Sequence, residues 1–162
     1  QKVDLVLIQK LCPLHLSSLF TIMLLYNPRI NNDAKATIDD LLGAPYSFFQ
    51  SLKMGGTGSK RMIIEKVGHG FAKYMNKVSD INYGNIELRE KGIIVHISKG
   101  LETFSWVIPY YQLHTYRTSG FSIHAQGNFV RFKYNKLFNE NKKFIEKLVN
   151  FKIENDKQYQ LY

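Results

Sequence analysis

The chain contains one cysteine, Cys12, among 162 residues. That excludes an intramolecular disulfide, and a lone thiol reads as packing in a reducing compartment, so a cytoplasmic location is expected. A membrane-spanning run is missing too. The apolar stretch from Leu11 to Tyr26 is shorter than the ~18–20 residues a helical span needs, and Pro13 and His15 interrupt it. No Gly-x-Ser-x-Gly elbow, Cys–His pair or close carboxylate dyad is present, which leaves an enzyme reading without named chemistry. Histidines 69, 96, 114 and 124 have no acid or cysteine at ligand spacing, so neither a metal nor any other cofactor is expected.

What is present describes a folded chain. Hydrophobic residues make up 44% and aromatics 14%, enough to build a core and too much for disorder. Lys and Arg outnumber Asp and Glu by 22 to 13, and the resulting +9 charge biases the protein toward anionic partners. The excess is densest over 53–77, where Lys53, Lys60, Arg61, Lys66, Lys73 and Lys77 face Glu65 alone.

The first third reads as helical. The segment 11–26 suggests a peripheral helix, or else residues 1–22 are extraneous to the native chain and Met23 is its start; a signal peptide and a membrane anchor rank behind these. Tyr26 to Asp33 reads as a linker. Asn32 or Asp33 caps a helix through Ala34, Ile38, Leu41 and Leu42, with Asp39 and Asp40 on its solvated side, and Gly43-Ala44-Pro45 ends it. Tyr46 to Lys53 forms a second short helix with Phe48, Phe49 and Leu52 at helical spacing. After a Gly-rich loop at 54–59, the spacing of Met62, Ile63, Val67, Phe71, Tyr74, Met75 and Val78 predicts a helix capped by Ser59. A hairpin turning at Gly68-His69-Gly70 is the rival.

From Tyr83 the apolar period changes from 3.6 to 2. Ile86 and Leu88, then Ile93, Val95 and Ile97, then Phe104, Trp106 and Ile108 mark three strands; Pro109 stops the third. Leu113–Thr118, Phe121–Ala125 and Asn128–Tyr134 mark three more, with tight turns at Ser119-Gly120 and Gln126-Gly127. Asn139 then caps a helix whose stripe of Phe144, Ile145, Leu148 and Val149 packs on the strands, with Lys142, Lys143, Glu146 and Lys147 on the other side. A frayed tail follows Glu154. The fold class is α+β: an antiparallel meander over 83–155 closed by one C-terminal helix, preceded by a helical extension over 27–82 and an apolar segment over 1–26.

The meander, the Val107-Ile108-Pro109-Tyr110 segment at its middle and the final Phe-Ile-x-x-Leu helix resemble the bacterial pleckstrin-homology-like (PH-like) domains over about 84–152. The resemblance implies a strongly bent barrel or sandwich with its open end plugged by the helix, and a binding or scaffold role. It also implies seven strands where six are counted, so a seventh would come from 60–83.

One candidate site follows from residues alone. Gly55-Gly56-Thr57-Gly58-Ser59-Lys60 lacks the Gly-Lys-Ser/Thr order of a phosphate loop, but amides of a Gly-rich turn at a helix start attract anions. The expected anion-binding set is Gly55, Gly56, Gly58, Ser59, Lys60, Arg61, Lys66 and Lys73. Elsewhere, Phe129 beside Arg131 and Lys133 has the composition of a base-stacking surface, against a plain sheet face covered by the N-terminal helices. A two-residue Ser119-Gly120 turn sets His114 and His124 on opposite faces; a one-residue shift would pair Tyr116 with His124. The function expected is a binding or scaffold module of unknown partner, a protein or an anionic surface; the alternative is a basic surface that binds anionic lipid, with peripheral membrane association, or nucleic acid, the less favoured of the two, and an enzyme of unidentified chemistry ranks third.

Overall fold

The computed structural model describes residues 6–8, 22–27, 32–75 and 81–159, with side chains over 34–75 and 81–158. Among these, nine strands form one antiparallel sheet: β1 (Val6–Ile8), β2 (Ile22–Asn27), β3 (Met62–Val67), β4 (Tyr83–Arg89), β5 (Gly92–Lys99), β6 (Glu102–Pro109), β7 (His114–Arg117), β8 (Gly120–Ala125) and β9 (Asn128–Lys133). Their spatial order is β1-β2-β6-β5-β4-β3-β9-β8-β7. Four helices accompany them: α1 (Asn32–Leu42), α2 (Phe48–Lys53), α3 (Lys136–Asn139) and α4 (Lys142–Tyr159). The class is α+β, and the sheet is not closed: β1 and β7 are its edges.

The period-2 segments all become strands, because alternation lets one face of each bury while the other meets solvent or a covering element. Two antiparallel meanders result, β4-β5-β6 and β7-β8-β9, joined through β3. The start of β3 pairs with β4 through Met62 and Ile63, and its end pairs with β9 through Ile64, Lys66 and Val67. A register shift between Ile64 and Lys66 marks the handover.

That shift explains why the helix expected over 60–78 does not form over 60–75; residues 76–80 lie outside the described residues. A bulge adds one residue to one strand, so the inward positions Ile64 and Val67 stand three apart instead of two. Three-residue spacing imitates a helix in the sequence. The chain then leaves the sheet at Gly68 and winds into a 3-10 turn over His69–Tyr74, whose own three-residue period buries Phe71. β3 is the seventh strand of the run β3–β9, and it lies inside the segment read as a helical extension.

Both meanders and α4 share one core. Ile86, Val95, Trp106 and Ile108 from the first, Phe121, Ile123, Val130 and Phe132 from the second, and Phe144, Ile145 and Leu148 from α4 belong to a single buried cluster. The helix stripe therefore packs as its spacing predicts. Three details differ. Asn139, expected to cap the final helix, is instead the last residue of the short α3, which Asn135 caps through Oδ1 accepting from the Phe138 N–H (2.9 Å), and α4 begins at Lys142. Lys147 is half-buried and its Nζ donates to the Met54 and Gly56 carbonyls instead of lying on a free face. The tail after Glu154 stays helical to Tyr159, aided by a Lys152–Asp156 pair one turn apart.

Ahead of the meanders, β2 pairs with β6 where the end of a peripheral helix and a linker are expected; residues 9–21 and 28–31, with Cys12, lie outside the described residues. α1 follows the sequence reading, ending at Gly43 in the left-handed conformation (φ 82°). Ser47 and Gln50 form a capping box that fixes α2. Phe48, Phe49 and Leu52 on α2 are exposed.

Candidate functional site

Each meander turns one face to the shared core and one outward. The outward faces differ in what they carry.

On β4-β5-β6 the outward positions are Glu87 and Arg89, Ile94 and His96, Ser105 and Val107. α1 lies across them. Ala34, Ile38 and Leu42 bury against Ile94 and Val107 as a second, small cluster. Gly92 permits this approach, since a Cβ there would sit 2.6 Å from a Leu42 methyl and 2.3 Å from the Ile108 carbonyl oxygen. Beside the cluster runs a polar chain. Arg89 reaches Asp39 of α1 (3.0 Å) and Glu87 (2.6 Å). The other Glu87 oxygen lies 3.2 Å from His96 Nε2, and His96 Nδ1 lies 2.9 Å from Ser105 Oγ. Asp39, expected on the solvated side of its helix, and Glu87 are therefore the acceptors through which Arg89 clamps α1 to the sheet. Burial alone would raise the Glu87 carboxyl; the hydrogen bonds and charges of His96 and Arg89 outweigh it, and the group titrates below its ordinary range.

The order Ser105, His96, Glu87 is that of a nucleophile, base and orienting acid. The cavity here is about 170 Å³, and Ser105 is 1% exposed beneath α1. With its hydroxyl sealed from solvent, the row works as a structural clamp.

Among the described residues, no helix lies over the outward face of β7-β8-β9. His114 and Tyr116 lie on β7, Ser122 and His124 on β8, Phe129, Arg131 and Lys133 on β9, and Lys66 of β3 sits opposite Arg131. The β7–β8 turn contains three residues between Arg117 and Phe121, so His114 pairs directly with His124. The two histidines share a face, correcting both registers expected from a two-residue turn. Tyr116 meets the His124 ring edge-on at 4.9 Å, and Phe129 stacks on it at 5.2 Å with 18° between planes. Burial, then the charge of Arg131, then His114 lower the His124 pKa from its ordinary value. From Thr103 to Asn139 the chain contains no Asp or Glu. That acid-free run is the sequence signal for this face; a charge count over 53–77 passes it by.

A groove of about 530 Å³ opens at the corner of this face, between Tyr111, His114, His124 and Phe129. Its floor is fixed by Gln126, a non-glycine residue in the left-handed region (φ 52°) that forms a tight turn with Gly127 (φ 72°). The Gln126 side chain accepts from Trp106 Nε1 (2.8 Å) and donates to Gln112 Oε1 (2.7 Å) and the Val107 carbonyl (3.3 Å). A second groove of equal size lies between β7 and α4. It contains Arg117 and Lys142 but also Glu146, over Phe138 and Ile145.

The residues singled out for anion binding do not gather. In the loop after α2, the N–H groups of Gly55 and Gly56 bond to Leu52 and Ser51, that of Ser59 to Ile86 and that of Lys60 to Asn141. The loop's carbonyls at Met54 and Gly56 hold the Lys147 ammonium, so this turn seats a cation within the fold. Gly58 bridges to Glu87. Lys60 pairs with Glu140 (3.1 Å), Arg61 lies over the Tyr83 ring and Lys73 over the Tyr74 ring. Lys66 alone of the set reaches the open face. Among the described residues no group of three His, Cys, Asp or Glu side chains could hold a metal ion, and no helix is long and apolar enough to cross a membrane. Comparison of the chain with protein-family models, curated proteins and solved structures finds no significant match in any of the three.

Proposed function

We propose that this chain is a noncatalytic binding module of PH-like type that docks an anionic partner on the outward face of β7-β8-β9. The PH-like part of the reading is supported by the strand run β6-β5-β4-β3-β9-β8-β7 and by a C-terminal helix packed into the shared core. A bacterial, cytoplasmic setting belongs to the same reading and rests on the resemblance and the single cysteine. The choice of face rests on one observation: among the described residues no helix covers this face, and its strands β7, β8 and β9 carry cations and no carboxylate, while its counterpart is covered by α1 and its Arg89 is paired with Asp39 and Glu87.

Retention on immobilised heparin tests the face. Reversing Lys66, Arg131 and Lys133 to Glu is expected to shift elution to distinctly lower salt, because each removed contact releases fewer counterions. Reversing Lys53, Lys60 and Lys73 changes the net charge equally and is expected to shift it much less. Equal shifts would mean that retention follows net charge alone, and would overturn the assignment.

A further inference from the structure

We infer that the open face binds single-stranded nucleic acid, with unpaired bases stacking on Tyr116 and Phe129 and entering the groove beside Tyr111. The inference rests on the docking face proposed above and names its ligand class.

Three observations converge. The first is the ring row. Tyr116, His124 and Phe129 stand side by side across three strands at centroid spacings of 4.9 and 5.2 Å. Tyr116 is 52% exposed and Tyr111, across the groove, 60%. Phe129 is half-buried against His124, and every nucleobase offers a π-face to rings presented in this way. The second is the groove, whose 530 Å³ falls within the range of small-ligand pockets and whose floor is locked to the core through Gln126 and Trp106. The third is the charge arrangement. Arg131 and Lys66 are direct cross-strand neighbours, and Lys133 follows on the same side of β9. These cations flank the rings as backbone-tracking groups flank stacking rings in single-strand binders.

Duplex fits poorly, because its bases are already stacked and only its phosphates would reach a flat sheet. A bilayer fits poorly as well, since the His124 and Phe129 rings lean on one another and do not project as the exposed side chains of α2 do.

The test is fluorescence anisotropy with labelled oligothymidylate and oligouridylate of about twelve nucleotides. Controls are an abasic phosphodiester of the same length, the matching duplex, and vesicles of phosphatidylglycerol with phosphatidylcholine. The inference predicts that one or both base-bearing strands bind about tenfold or more tighter than the abasic strand. Tyr116→Leu with Phe129→Leu, which keeps apolar volume and removes the rings, is expected to erase that difference and leave abasic binding in place. Trp106 fluorescence during urea unfolding verifies that the double variant is folded. Equal binding of base-bearing and abasic strands, weakened alike by reversal of Lys66, Arg131 and Lys133, would overturn the stacking inference and leave the anionic docking face standing. Absence of binding to any oligonucleotide, or vesicle binding alone, would overturn the inference.

Discussion

The two meanders are built alike and finished differently. β4-β5-β6 and β7-β8-β9 each contribute an alternating apolar face to one core. On the first, every outward charge has a partner: Arg89 between Asp39 and Glu87, His96 between Glu87 and Ser105. On the second, rings and cations face outward with no carboxylate in the same stretch of chain. The lesson is that the same strand pattern can support a covered face, where polar groups are spent on holding a helix, or an open one, where they are left for a partner. Buried networks must be satisfied internally, since an unpaired buried charge is costly. An open face carries no such demand.

The comparison fails first if the two meanders are not one domain. Leu148 of α4 is fully buried in the core they share. Leu148→Asp should cost about 4 kcal/mol or more by burying an unpaired charge, and remove the cooperative urea transition of Trp106 fluorescence. Lys143→Asp, on the exposed side of the same helix, should stay within about 0.5 kcal/mol. If Leu148→Asp keeps the parent's midpoint, α4 is an appendage and the shared core is wrong.

Next comes the clamp. Arg89→Ala leaves Asp39 and Glu87 without their cation. A fully buried pair broken this way costs ~3–5 kcal/mol; here the carboxylates are 28% and 31% exposed, so about 2 kcal/mol is expected in urea unfolding. Loss below about 0.5 kcal/mol would show that α1 is held by its apolar contacts alone.

The clamp also sets an acid limit. The Glu87 carboxyl is lowered in the fold, so its contribution is complete above the unfolded value near 4.5 and is lost as pH falls through the folded value. Stability measured between pH 6 and pH 3 should fall less steeply in Glu87→Gln than in the parent. An unchanged slope would remove Glu87 from the clamp. The smallest effect is expected on the open face. Tyr116→Leu should alter stability by no more than about 0.5 kcal/mol, because half of its ring is already in water.

Much of this was legible in the residues, for physical reasons. Large apolar residues two apart over Ile86–Leu88, Ile93–Ile97, Phe104–Ile108 and Val130–Phe132 mark strands with one side in the core, and Ile94 and Val107 between them bury on the other side under α1. The stripe Phe144, Ile145, Leu148 has one solution as a helix. β3 was hidden because its bulge changes the spacing of Ile64 and Val67 from two to three. The histidine pairing was missed because the turn after Arg117 is one residue longer than Ser119-Gly120 suggests, and one residue reverses every face. The candidate site was read from local density, where Lys60 and Arg61 adjoin glycines. Chain folding spends those groups on Glu140, Tyr83 and the loop's own neighbours. The open face assembles Lys66, Tyr116, His124, Phe129 and Arg131 from four strands, and only sheet order brings them together.

The central claim is that the second meander's outward face is the one that meets a partner. Amide chemical-shift mapping by NMR during titration with an oligothymidylate of about twelve nucleotides addresses it directly. The account predicts the largest shifts at Lys66, His114, Tyr116, His124, Phe129 and Arg131, with Ile94, His96, Ser105 and α1 unmoved. Shifts centred on α1 and its clamp, or on the loop from Met54 to Arg61, would contradict it.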